Sequence, residues 1–94
     1  MSKLKTFVRA VRQELGRISL SIKQMEFKIL RIQGASRKYL REELMELKRI
    51  KEAIAARLSK LTKEARLHAP TMESIREDIA MLHDRCRTLK TQHL

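Results

Sequence analysis

The sequence predicts an all-α fold: a helical hairpin of two long, coiled-coil-like helices and a shorter third helix, forming a three-helix bundle or an oligomeric coiled coil. Three observations carry this. Apolar side chains recur at alternating spacings of three and four residues along most of the chain, the period of a stripe on one side of a helix. Only two Gly, one Pro and 3% aromatic residues stand beside 35% charged residues, a composition of good helix formers that leaves little for strands. Turn signals fall near Gly34 and Pro70, which divides a single 94-residue domain into three helices.

Helix one is expected over about residues 3–33, where Leu4, Val8, Val11, Leu15, Ile18, Ile22, Met25, Ile29 and Ile32 form an unbroken seam. The stretch Gln33-Gly34-Ala35-Ser36 then reads as a helix end. Gly34 suits a left-handed cap, Ser36 suits the start of the next helix, and Lys28 and Arg31 suit a C-terminal turn. The competing reading is one continuous rod whose seam steps through residues 29, 32, 36, 40 and 44, a stutter in the heptad. Matched arms of about 45 Å on either side of the break favour the hairpin.

Helix two, about 36–68, carries Leu40, Leu44, Leu47, Lys51, Ile54, Leu58, Leu61, Ala65 and His68 on its seam. Lys51 interrupts it, either to fix register or to carry its amine out to water. Arg37 and Lys38 would stand at the N-terminus of this helix, where positive charge opposes the helix dipole.

Pro70 has no backbone donor and disfavours helical geometry at Ala69, so a helix ends before it. Thr71 can cap a new helix with Glu73 in its first turn. Helix three is therefore placed at about 71–92, with a seam of Met72, Ile75, Ile79, Leu82, Cys86, Leu89 and His93.

Several large apolar residues fall off these seams. Leu20 and Phe27 oppose the seam of helix one with Phe7 and Leu30 flanking, and Tyr39, Met45, Ile50 and Leu67 lie off that of helix two. They fit the wide apolar arc that a helix needs inside a three-helix bundle. They also fit an exposed groove that receives a partner helix or a second copy of the chain.

No catalytic constellation, phosphate loop or cofactor motif is present, which points to a non-enzymatic protein that needs no cofactor. His83, Cys86 and His93 share one helix face, but two of them occupy seam positions and read as a buried thiol and a C-terminal histidine, with no metal assigned. A lone cysteine cannot form an internal disulfide, and no apolar run approaches the roughly 20 residues of a membrane span. The expected location is cytoplasmic. The competing location is mitochondrial, because the first 25 residues are basic, amphipathic and hold one acid, Glu14. Against that, the seam runs on in phase to Ile32.

Charge is unevenly spread. Residues 1–33 are net +6, residues 34–68 net +5 and residues 69–94 neutral. Arg9, Arg17, Lys23 and Arg31 on helix one, and Arg37, Lys38, Arg41, Lys48 and Arg49 on helix two, form a candidate patch for an acidic partner or nucleic acid. Covering the hairpin groove with helix three would leave this charge outside, where an anionic surface is a further candidate ligand.

A chain this short buries a small fraction of its surface alone, so a partner helix or self-association is expected. The expected function is that of an adaptor, chaperone or assembly factor, binding a helical partner or itself as a dimer or higher oligomer. Its partner-binding seam would comprise Val8, Val11, Leu15, Ile18, Ile22, Met25, Ile29, Ile32, Leu44, Leu47, Ile54, Leu58, Leu61, Ile75, Ile79 and Leu82. The alternative is a basic helical hairpin that regulates through RNA or DNA backbone binding.

Overall fold

The computed structural model describes residues 3–94. It is a three-helix bundle: α1 spans Lys3–Ile29, α2 Ala35–Glu64 and α3 Ala69–Gln92, and no strand occurs among the described residues. Side-chain bridges give the topology. Lys48 reaches Glu26 at 2.9 Å and Lys51 reaches Ser19 at 3.0 Å, so α1 and α2 are antiparallel. Arg57 pairs with Asp78 and Arg85 with Glu43, so α3 runs back along α2 and parallel to α1. The result measures 49 × 18 × 17 Å, about the length of its longest helix.

The hairpin forms at Gly34, as expected, but by another geometry. Gly34 has φ 80° and ψ −154° and precedes α2 as its N-cap, in a backbone region that only glycine adopts without strain. It is not a left-handed cap of α1, and Ser36 lies inside α2 instead of capping it. α1 ends at Ile29, four residues short of the expected 33, and closes with bonds from Arg31 N to Lys28 O (3.2 Å) and Ile32 N to Ile29 O (2.9 Å).

α2 ends at Glu64, four residues before the expected 68. The stop is made by Ala65, whose φ 48° and ψ 43° are left-handed. Its N–H bonds Thr62 O at 3.2 Å, and Arg66 N bonds Leu61 O at 3.4 Å. This paired pattern is the Schellman closure, here with alanine where glycine is usual. Pro70 plays no part in ending α2. It sits in the first turn of α3, after the extended N-cap His68, where a missing N–H costs nothing. Thr71 is already helical, its hydroxyl 2.6 Å from His68 Nδ1, and Glu73 lies beyond the first turn.

The three seams meet along the bundle axis. Ile18, Ile22 and Met25 from α1, Leu40, Leu47 and Ile54 from α2, and Ile75 and Leu82 from α3 are almost completely shielded. Phe7, off the expected seam, joins them under the guanidinium of Arg76, 5.1 Å from its ring centroid. Lys51 does not break the core, because its amine leaves it for Ser19 Oγ. No polar or charged residue is buried among the described residues.

Candidate interaction surface

The seam residues face this chain's own helices. Val8, Val11, Ile18, Ile22, Met25, Ile29, Leu44, Leu47, Ile54, Leu58, Leu61, Ile75, Ile79 and Leu82 are buried, and Leu15 and Ile32 pack against them half-buried. The side chains expected to receive another molecule are thus already covered by this one.

Candidates off the seams are specific. Leu20 is 58% exposed, Phe27 73%, Leu30 63% and Met45 68%, although each could bury far more area. Leu20 and Phe27 are on α1, Leu30 follows its last residue in the turn, and Met45 is on α2, all within the half of the bundle that carries the Gly34 turn or near its middle. Leu30 and Met45 line a groove of about 300 Å³ between the end of α1 and the beginning of α2. Arg37, Arg41 and Lys48 stand along the same groove, with Glu26 opposite.

The electrostatics of this face differ from those of α3. There Arg76 pairs with Glu73 (3.7 Å), Arg85 with Glu43 (2.7 Å) and Arg87 with Asp84 (2.7 Å), while Lys90 donates to Ser21 Oγ at 3.1 Å. Among the nine patch residues, Arg17 pairs with Glu14, Lys48 with Glu26 and Arg49 with Glu46. Arg9, Lys23, Arg31, Arg37, Lys38 and Arg41 make no ion pair among the described residues. The Nε of Arg37 is also shielded from solvent without a hydrogen-bond acceptor, a state that costs free energy in any folded protein.

Some pairings escape a one-dimensional reading. Lys48 takes Glu26 across the hairpin instead of a neighbour on its own helix, and Arg57 joins Ser74 and Asp78 on α3. Only the assembled bundle brings those residues together. His83, Cys86 and His93 go separate ways: His83 Nε2 meets Glu14 Oε2, Cys86 is buried in the core, and the His93 ring lies 5.5 Å from that of Tyr39. Burial pushes the Cys86 thiol pKa up, against an opposing pull from Lys90 and Arg85. No helix among the described residues is long and apolar enough to cross a membrane. No protein family, curated protein or solved structure matches this chain.

Proposed function

We propose that this protein is a non-enzymatic interaction module, an adaptor, chaperone or assembly factor, that binds a helical protein partner on the outer face of the α1–α2 hairpin. The observation that carries this reading is the set of exposed large apolar side chains, Leu20, Phe27, Leu30 and Met45, which remain outside after all three seams are satisfied internally. Exposed large apolar side chains lose their hydration cost only when another surface covers them. A helix laid in the groove between the end of α1 and the beginning of α2 would cover Leu30 and Met45.

Charge argues for a heteromeric partner. Pairing two copies through this face would bring like charges together, which opposes association. The unpaired cations also favour nucleic acid as a second reading, since phosphate neutralisation by Lys and Arg dominates such binding. The exposed Leu and Met side chains have no use on a phosphate backbone, however, and one exposed Phe and one Tyr offer little stacking surface.

Pull-down with the full chain, with and without nuclease, followed by salt titration from about 50 to 200 mM, separates the two. A protein partner retained after nuclease, and lost with Phe27→Asp, supports the proposal. Capture that disappears with nuclease and falls by several orders of magnitude across that salt range refutes it.

A further inference from the structure

We infer that the groove beside the Gly34 turn receives an acidic amphipathic helix, whose apolar stripe lies on Leu30 and Met45 and whose carboxylates are held by Arg37 and Arg41. The inference rests on the interaction-module reading and names the chemistry of the partner. The groove's dimensions fit: its α2 wall runs from Arg37 to Lys48, about 16 Å or three turns of a docked helix.

The charges select the occupant. Of the three cations on the groove, Lys48 is neutralised by Glu26, whereas Arg37 and Arg41 make no ion pair among the described residues. Arg37 has an orphaned donor at Nε. A planar guanidinium without an ion-pair partner is matched by a carboxylate, which accepts two of its N–H groups at once.

The position of Arg37 is itself costly to the isolated chain. α2 begins at Ala35 with no acidic residue in its first turn and no side-chain cap from Gly34, while Arg37 and Lys38 add positive charge to the positive end of the helix dipole. The fold does not need cations there. An incoming carboxylate offsets that repulsion, pairs with the Arg37 and Arg41 side chains that line the groove and brings apolar surface to Leu30 and Met45 together. A basic or neutral helix would do only the last of these.

Selection of displayed helical peptides on the immobilised full chain at physiological salt tests the inference. Enriched peptides should carry apolar residues at i, i+3 or i+4 and i+7, with a clear excess of Asp and Glu beside them. A synthetic peptide from that pool should lose about tenfold or more in affinity with Arg37→Gln or Arg41→Gln, the usual effect of deleting a charge-assisted hydrogen bond. It should bind Arg9→Gln as it binds the unaltered protein. Arg41→Glu should recover binding to a peptide whose facing Glu is replaced by Lys, which excludes misfolding as the cause of the loss.

No enrichment, enrichment of peptides without excess negative charge, or acidic peptides indifferent to both arginine substitutions would each overturn the assignment. If the nuclease-treated pull-down still retains a protein, only the groove's ligand has been misassigned. If that protein is lost as well, the underlying functional reading falls.

Discussion

Replacing Ile18 with alanine separates a seam that holds this chain together from a seam reserved for another molecule. Ile18 is 1% exposed, in the middle of α1 and within the shared core. The substitution removes three buried carbons, worth about 0.8 kcal/mol each, so transfer alone costs roughly 2.4 kcal/mol. The cavity left between three packed helices adds about 1 kcal/mol, for a total of about 3 to 4 kcal/mol. For a domain of this size, each kcal/mol moves the melting midpoint by about 4–8 °C, so Tm should fall by roughly 15 °C or more.

Far-UV circular dichroism of the purified chain reads this directly, with Leu20→Ala as the control on the same helix. Leu20 is 58% exposed, and its truncation should change stability by less than about 0.5 kcal/mol. If the seam instead serves a partner, Ile18→Ala leaves the isolated chain's melt unchanged. An unaltered midpoint, or one that climbs with protein concentration over a roughly twentyfold range, would refute the intramolecular core.

Three further outcomes follow from the two turns and the cysteine. Ala65→Gly should stabilise the protein by about 1 kcal/mol, because a left-handed alanine carries a steric cost that glycine avoids; a lower urea midpoint would contradict the strained cap. Gly34→Ala should destabilise by about 1–3 kcal/mol through backbone strain alone, since no atom lies within 4 Å of an added Cβ, and an unchanged midpoint would argue against the positive φ. Because burial raises the folded thiol's pKa, Cys86 contributes stability that is whole below the unfolded thiol's pKa and lost as pH climbs through the folded one. Urea resistance should therefore fall more steeply as pH rises above about 8.5, the ordinary thiol pKa, in the unaltered protein than in Cys86→Ala, and parallel slopes would count against that linkage.

The helices were legible because their periodicity is a direct image of burial. Ile18, Ile22 and Met25, or Leu40, Leu44 and Leu47, stand three or four residues apart and come to lie on one buried stripe. The helix ends were harder. Ala65 adopts a conformation that alanine does not advertise, so nothing in the sequence marks the end of α2, while Pro70 marks a boundary yet belongs to the helix after it.

The surface was half legible. Leu20, Phe27, Leu30 and Met45 could be singled out as off-seam, but the same spacing also placed Phe7 off the seam, and the bundle buries it. Which helices cover a seam is a question of tertiary topology, and alternating three-and-four spacing suits a neighbour in the same chain as well as one in another. The partition of cations into paired and unpaired depends likewise on contacts such as Lys48 with Glu26, between residues 22 positions apart.

Among the described residues the core holds no buried polar residue to act as an internal ruler. Hydrocarbon against hydrocarbon tolerates sliding by a heptad step far better than a buried amide would, so sequences of this kind keep compactness more easily than alignment. The alignment here falls to half-buried bridges at the rim, Lys48 with Glu26, Arg57 with Asp78 and Arg85 with Glu43. Stripping those six side chains to alanine would leave three rods that still cohere but no longer agree on where each one stops, and a docking groove built from two of them would blur with that loss of phase.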